Sequence, residues 1–368
     1  MLHLQEAGVG EYRHFIPARA LAKLGADVTY WQPPDKVPSD MAQWVLENGK
    51  RYDVLHVGYA SAISAVNLLA AAREYTNWRM LTDIDDDIEH VPPYNFAARE
   101  YLNGAEQRNC ARLHLRISDG VTATTPPLST VLDKFARNVR ILPNCLDEAS
   151  WHGLPIAPDR DDDKSVRILF SNSLGHYGDM AEVREVMDWL VGKYDGKEGR
   201  AHIKLLFAGM LPDWAIRWMQ DMKCANVNRA FLLQSCNVPT YRAMLKWLRP
   251  DILCAPLARN EFNNSKSHIK AYDAAMCGAA LVCTDVGAYE PVPSNCAVKL
   301  DNSFAQWQYY LEQLIEDVDH RRTLHSNLTQ YALDNWTISQ HIDKWVAAYE
   351  HVLAAPPVRE LADIKRPA

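Results

Sequence analysis

The sequence predicts an α/β fold made of two doubly wound domains that face each other across a cleft. Short apolar segments alternate with helical segments through both halves of the chain, a pattern typical of parallel sheets covered by helices. The length of 368 residues exceeds what one hydrophobic core ordinarily holds. A polar, irregular stretch at 147–165 interrupts the alternation. We place the domain boundary there, with residues 1–147 in the first domain and 148–336 in the second.

Short apolar runs mark the predicted strands. In the first half they are 2–5, 27–31, 53–57, 79–82, 120–123 and 139–142. In the second half they are 166–171, 203–207, 231–233, 251–255, 279–283 and 297–300. A helix that Gly25 ends is predicted after the first strand. The remaining predicted helices lie at 61–73, 95–117, 126–137, 180–190, 212–222, 238–247, 265–277, 303–318, 319–334 and 337–354.

The composition is that of an ordinary globular protein, with 48% hydrophobic and 23% charged residues. No run approaches the roughly 18 apolar residues of a membrane-spanning helix, and no signal peptide precedes the first strand. We therefore expect a cytoplasmic protein without an integral membrane segment. The eight cysteines include no C-x-x-C pair, which favours reduced thiols over disulfides or a zinc site.

The stretch 251–292 carries the strongest functional signal. An apolar strand ends at Pro256, a polar loop follows, and a helix that Gly278 closes comes next. The start of that helix gathers lysines, serines and a carboxylate: Ser265, Lys266, Ser267, Lys270 and Asp273. Cations and free N–H groups at a helix start behind a strand form an anion site, and a carboxylate beside it can accept sugar hydroxyls. The pattern predicts a pocket for a nucleotide diphosphate.

Gly8 and Gly10 stand between the first strand and the first helix. A dinucleotide-binding fingerprint needs a third glycine where Arg13 stands, so the pattern is not an NAD signature. Two interpretations remain. The glycines form a tight turn, or their backbone approaches a phosphate or sugar at the helix start.

Four carboxylates follow the predicted strand 79–82, at Asp83, Asp85, Asp86 and Asp87. The carboxyl ends of strands in open α/β sheets are where ligands bind. The cluster is an acceptor-side base, a cation site or a solvated helix start. No matching group of His, Asp and Glu elsewhere supports a metal cage, and we expect no metal.

These motifs together resemble a known family. The series Pro256-Leu257, Phe262-Asn263, Lys266-Ser267, Lys270, Asp273 and Gly278 resembles the donor site of GT-B glycosyltransferases, in particular the retaining group 1 or family 4 enzymes. Gly8-x-Gly10-x-Tyr12-Arg13 resembles their N-terminal glycine loop. Asp83-x-Asp85-Asp86 resembles the "DD" block of a bacterial and phage subgroup, and Leu142-Pro-Asn-Cys-Leu-Asp147 resembles the entry into the second domain.

The resemblance implies a GT-B fold of two Rossmann-like domains, with the segment 337–354 crossing back onto the first. It implies a nucleotide-sugar as co-substrate, no cofactor or metal for catalysis, and retention of configuration. The implied catalytic residues are Asp85, Asp86 and Lys266. The implied donor-binding residues are Gly8, Gly10, Tyr12, Arg13, Asn172, His176, Asn263, Lys266, Ser267, Lys270 and Asp273.

Two positions depart from the family pattern. Ser265 stands where the family often has the first of two acids on the donor helix. The family's Arg and Lys pair after the first strand of the second domain is absent, and that loop carries His176 and Asp179 instead. We therefore expect Lys266 and Lys270 to bind the diphosphate, and Asp273 to hold the ribose hydroxyls.

The acceptor stays open between a glycan or polysaccharide precursor and a hydroxymethylated pyrimidine in DNA. A DNA enzyme needs a basic groove, and Arg108, Arg112 and Arg116 on one predicted helix are candidates. The net charge of −7 disfavours a dedicated nucleic-acid binder without excluding a basic cleft. A non-catalytic sugar-nucleotide-binding module and a two-domain epimerase are further alternatives on the same scaffold.

Overall fold

The computed structural model describes residues 8–30, 43–44, 47–102, 104–155, 165–194, 202–221 and 237–358. The predicted strands 2–5 and 231–233 lie outside these ranges. Residues 27–30 of the predicted strand 27–31 are described and form no strand, so that prediction was wrong for them.

The first half builds a parallel sheet of four strands in chain order. They are β1 (Val54–Gly58), β2 (Arg79–Ile84), β3 (Gly120–Ala123) and β4 (Val139–Ile141). Its helices are Ile63–Tyr75, Phe96–Leu102, Ala105–Ile117 and Pro126–Leu132. The single helix predicted over 95–117 is two helices, because Gly104 takes an extended conformation before the second one.

The chain before β1 contains a helical segment of mixed geometry. It begins as an α-helical turn at Gly8–Gly10, continues as a π-helix over Glu11–Phe15 and ends as the α-helix Ile16–Lys23. Gly25 follows with φ of 92°, a left-handed conformation that suits glycine after a helix end. The predicted end of this helix is confirmed.

The second half builds a parallel sheet of five strands in the order β6-β5-β7-β8-β9. They are β5 (Val166–Asn172), β6 (Ile203–Gly209), β7 (Ile252–Ala255), β8 (Ala280–Thr284) and β9 (Ala297–Leu300). Its α-helices are Tyr177–Ala181, Arg184–Tyr194, Asp213–Asp221, Val238–Leu248, Glu261–Asn264, Ile269–Cys277, Phe304–Glu316 and Val318–Asn335.

The apolar runs of the second sheet follow from burial on both faces, as parallel sheets require. Side chains of β5 alternate between two cores: Leu169 belongs to one, while Ile168 and Phe170 belong to the other. The strand order also creates a switch point, because β5 pairs with β6 on one side and β7 on the other. Ligands of open α/β sheets bind at the carboxyl ends of the strands at such a point.

The last helix, Ile338–Ala354, packs on the first sheet rather than the second. Its Trp345 and Ala348 form a small core with Leu142. The Tyr349 hydroxyl lies 2.7 Å from Nδ1 of His56 in β1. None of the helices in the described ranges is long and apolar enough to cross a membrane.

Candidate active site

The segment between the short helix Glu261–Asn264 and the helix Ile269–Cys277 docks on the first half of the chain. The Thr125 hydroxyl donates to the backbone oxygen of Ser265 at 2.7 Å. Asn144 Nδ2 donates to Ser267 Oγ at 2.7 Å. These contacts set the switch point of the second sheet opposite the carboxyl ends of the first. The predicted helix start at 265 lies later, at Ile269, so Lys266 and Ser267 stand in the connecting turn.

Lys266 places a cation with few protein partners at this interface. Its Nζ lies 3.2 Å from Asp86 Oδ1 and 4.6 Å from the centre of the Phe262 ring. An ammonium has three N–H donors, and within the described chain only Asp86 accepts a hydrogen bond from this one. Lys266 therefore keeps donors for an anion that enters between the two halves.

The aspartates after β2 divide into two kinds. Asp83 is buried in an ion pair, and Asp87 accepts hydrogen bonds from the backbone N–H groups of Glu89 and His90 and so fixes a turn. Asp85 and Asp86 are both partly exposed, and Asp86 faces Lys266. Asp85 and Asp86 therefore remain the candidate catalytic residues of this cluster. Among the described residues, no group of three or more His, Cys, Asp or Glu is arranged to hold a metal ion.

Asp85 is a carboxyl group that titrates near neutrality. Burial raises its pKa to about 7, and the negative charges of Asp86 and Asp83 act in the same direction, whereas Arg13 and Lys266 oppose them. A carboxyl group with a pKa near the working pH exists in both protonation states and can exchange a proton with a substrate hydroxyl.

Arg13 does not reach the cleft. It is fully buried, with Nη2 2.7 Å from Asp83 Oδ1, Nη1 donating to the backbone oxygen of Leu142 at 2.5 Å, and Trp345 stacked on the guanidinium. Burial would raise the pKa of Asp83, but the Arg13 charge and hydrogen bonds lower it to about 2. We correct the expected donor contact of Arg13 to a structural role, because its guanidinium is already paired with Asp83 inside the first domain.

The other residues of the N-terminal motif lie in the same helical segment as Arg13. Gly8–Gly10 form the first described helical turn of this segment, and Gly10 has φ of −57°, so an approach of their backbone to a phosphate stays a prediction. Tyr12 is buried between Tyr272 and the guanidinium of Arg242, at 6.3 Å and 5.9 Å from its ring centre. This segment therefore packs against side chains of the second half.

Lys270 brings a cation to the carboxyl end of β5. Its Nζ lies 2.9 Å from Ser171 Oγ, 2.8 Å from the Tyr241 hydroxyl and 3.2 Å from Asp273 Oδ2. These three oxygens occupy its three donors. Asp273 is 1% exposed and also accepts from the Tyr241 hydroxyl at 2.8 Å. The expected ribose contact of Asp273 therefore has no open acceptor surface here, and Asp273 holds Lys270 instead.

A polar hub occupies the adjoining loop. Asp179 is fully buried and lies 2.6 Å from His176, while the side-chain nitrogen of Asn263 donates to it at 2.8 Å. Asn263 is likewise buried, so it supports the loop rather than lining an open pocket. Asn172 ends β5, and its side chain lies outside the described part of the chain.

Sequence reasoning missed the residues that join the two halves. The Tyr94 hydroxyl accepts from Asn260 at 2.8 Å, and Arg242 Nη1 lies 3.2 Å from Glu11 Oε1. Tyr94 stands in a proline-containing turn without periodicity, so no local pattern marks it.

Solved structures resemble this architecture, whereas no protein-family model and no curated protein matches the sequence. A glycosyltransferase from Rickettsia africae superposes with a TM-score of 0.65 and 13% identity over 96% of this chain and 97% of its own. HepE from Anabaena, in complex with UDP-glucose, gives 0.62 and 14% over 94% and 98%. TarM, known from S. aureus, gives 0.60 and 11% over 84% of this chain and 57% of its own.

The chain has the GT-B fold. The GT-B likeness extends over nearly the whole chain in the first two comparisons, and it confirms the predicted fold of two facing α/β halves. This chain spans little more than half of TarM, 57% of its length. Fold alone does not determine activity. A functional assignment therefore has to rest on the side chains at the interface around Lys266.

Proposed function

We propose that the protein transfers a sugar from a nucleotide-diphosphate sugar to a hydroxyl acceptor, with retention of configuration. The observation that carries this proposal is the pairing of Lys266 with Asp86 beside Asp85. It sets a cation with open donors opposite two partly exposed carboxyl groups at the switch point of a GT-B fold. A sugar-nucleotide reaction needs these two elements, a cation for the leaving diphosphate and a polar group for the acceptor.

The proposed reaction breaks the bond between the anomeric carbon and the β-phosphate oxygen. The acceptor oxygen forms the new bond to that carbon on the same face, and the acceptor proton passes to an oxygen of the departing phosphate. Lys266 stabilises the charge that develops on this phosphate. Asp85 and Asp86 orient the acceptor hydroxyl. Water does not attack, so the two-carboxylate scheme of glycoside hydrolysis does not apply.

The solved neighbours support a uridine donor and retention. HepE was solved with UDP and glucose and with UDP-glucose. A trehalose-6-phosphate synthase of similar fold, at 13% identity, is described in terms of glycosyl transfer with retention. We propose a UDP-sugar as the first donor to test and a GDP-sugar as the second.

For the acceptor we propose a glycan or polysaccharide precursor. The DNA alternative calls for arginines that are available to phosphates. Arg112 instead forms a two-pronged ion pair with Glu89 and stacks on Phe135, with 4.8 Å to the ring centre. This arrangement supports the glycan over DNA.

A donor screen followed by turnover tests the proposal. UDP-, GDP-, ADP- and dTDP-sugars are compared by thermal shift, and the donor that stabilises the protein is then assayed with glycan acceptors and with hydroxymethylated DNA. We expect stabilisation by a UDP- or GDP-sugar and release of the nucleoside diphosphate with a glycan acceptor. Binding without transfer or hydrolysis would point to a non-catalytic module, and transfer to DNA alone would replace the acceptor.

A further inference from the structure

His176 is held in one orientation by a buried carboxylate. Its Nδ1 lies 2.6 Å from Asp179 Oδ2. The other oxygen of Asp179 accepts from the Ala258 backbone N–H and from Asn263 Nδ2, each at 2.8 Å. These contacts tie the loop after β5 to the loop after β7, so neither Asp179 nor the imidazole can turn without breaking several hydrogen bonds.

The pairing determines which imidazole nitrogen carries the proton. An ionised carboxylate only accepts hydrogen bonds, so Nδ1 of His176 must be the donor. In a neutral ring Nε2 is then an acceptor with a lone pair. Nε2 has no hydrogen-bond partner in the described part of the chain, and the side chain is 23% exposed.

The surroundings favour the neutral ring. Burial lowers the pKa of His176, and the nearby charges of Lys266 and Lys270 lower it further, whereas Asp179 opposes them. A neutral nitrogen that only accepts hydrogen bonds cannot donate one to a phosphate oxygen. It suits a hydroxyl group, and it lies close enough to Lys266, which we assign to the diphosphate, to be affected by its charge.

The first half of the chain fixes the same loop from the opposite side. A Cβ atom added to Gly175 would lie 3.3 Å from Asn95 Oδ1, and one added to Gly178 would lie 2.5 Å from the Tyr94 ring. The Tyr94 hydroxyl also lies 3.5 Å from Asp179 Oδ1. The His176 nitrogen is therefore preorganised by both halves rather than carried on a loose loop.

We infer that His176, oriented by Asp179, accepts a hydrogen bond from a hydroxyl of the donor sugar and so selects the sugar that is transferred. This inference rests on the proposed function, because it presumes that a sugar nucleotide binds beside Lys266. His176 is then a specificity-determining residue, and Asp179 is a positioning residue that acts through it. A site built to pair with a substrate hydroxyl rejects analogues that lack it.

Calorimetric titration with UDP and with UDP-glucose separates sugar recognition from nucleotide recognition (GDP and GDP-mannose replace them if the screen favours guanine). The variants are His176→Phe, which removes the acceptor, His176→Gln, which retains one, and Ser173→Ala as a control on the same loop. For His176→Phe we expect the Kd of UDP-glucose to rise about tenfold while that of UDP stays within about twofold. His176→Gln is expected to recover most of the loss.

Two results would overturn the inference. One is unchanged binding of UDP-glucose by His176→Phe, and the other is equal weakening of UDP and UDP-glucose, which would make His176 a phosphate contact. If the wild-type protein binds no sugar nucleotide, the proposed function itself fails and takes the inference with it. A nitrogen-15 spectrum of the His176 ring adds a readout without ligand. It should show a protonated Nδ1 that shifts toward Nε2 in Asp179→Asn, and a protonated Nε2 in the wild type would contradict the assignment.

Discussion

Lys266 Nζ of the second half lies 3.2 Å from Asp86 Oδ1 of the first half. The Asp86 side chain is 41% exposed, and ion pairs with this much solvent access contribute little to stability. The pair is therefore suited to exchange rather than to holding the halves together. An entering diphosphate can replace the Asp86 carboxylate on Lys266 and leave that carboxylate for the acceptor.

The exchange predicts opposite effects of Asp86→Asn on binding and turnover. Without the competing charge, the donor KM is expected to stay level or fall. Because the acceptor hydroxyl loses its orienting group, kcat is expected to drop about 100-fold. Steady-state rates at varied donor concentration measure both constants, with the exposed Asp319→Asn as the matched control. A raised donor KM with normal kcat would show instead that Asp86 holds the donor.

The raised pKa of Asp85 predicts a pH dependence. If the ionised carboxylate orients the acceptor, activity falls as the pH drops below about 7. Stability moves the other way, since the folded state binds the Asp85 proton more tightly than the unfolded chain, whose pKa is near 3.8. Wild-type stability is then lost as the pH rises from 3.8 to about 7.

Asp85→Asn separates these two effects. The variant is expected to lose activity and to melt at a higher temperature than the wild type at pH values above the Asp85 pKa. The difference in melting temperature should shrink as the pH falls toward the unfolded value. Melting curves and rates measured across this pH range test the assignment, and a variant with the wild-type pH profile of activity would refute it.

The Arg13–Asp83 pair is predicted to stabilise the first half without touching the donor. Removing one partner of a buried ion pair costs about 3–5 kcal/mol, so Arg13→Met and Asp83→Asn should each lower the free energy of unfolding by this order. Asp83 has a lowered pKa of about 2. Its contribution is therefore present above the unfolded value of 3.8 and is lost as the pH falls toward 2.

Urea unfolding measures these losses of stability. UDP binding, measured near neutral pH without urea, should be the same in the variants as in the wild type. A variant that keeps its stability but loses UDP would return Arg13 to the donor pocket, where the spacing Gly8-x-Gly10-x-Tyr12-Arg13 suggested it.

Gly178 is predicted to lie so close to the Tyr94 ring that only glycine fits at this position. A Cβ there would lie 2.5 Å from a Tyr94 ring carbon, so Gly178→Ala should cost about 1–3 kcal/mol of stability. Gly192→Ala is the matched control, since a Cβ on that helix meets nothing within 4 Å and alanine favours a helix interior. The double variant with Tyr94→Ala should recover part of the loss. A Gly178→Ala protein as stable as Gly192→Ala would show that the two loops do not pack as described.

The sequence predicts the second sheet well because its strands are buried on both faces. The apolar run 251–255 corresponds to β7 at Ile252–Ala255, and 279–283 corresponds to β8 at Ala280–Thr284. Such runs carry their own signal. The last three helices were likewise predictable from their periodicity, with bounds that differ by at most two residues.

The pairing of side chains across the cleft has no comparable signal. Lys266 and Asp86 are 180 positions apart. No local sequence pattern distinguishes Asp86 from Asp83, which forms an ion pair with Arg13. Lys270 illustrates the same limit. The loop after β5 lacks the family's cations, yet the structure supplies one from a helix 99 positions further along the chain. Only the tertiary fold determines which charges are spent in pairs and which stay open to a ligand.

Turnover of a sugar nucleotide by Lys266→Ala tests the central claim most directly. The side chain is held by a contact with the Phe262 ring and by one ion pair whose partner, Asp86, is 41% exposed, so we expect only a small change in melting temperature. Release of the nucleoside diphosphate should fall by about 10²–10³, the usual cost of removing one group that stabilises a leaving charge. Lys23→Ala, at the exposed end of the helix Ile16–Lys23, is the control. Wild-type turnover of every sugar nucleotide by Lys266→Ala would contradict the assignment of the donor site.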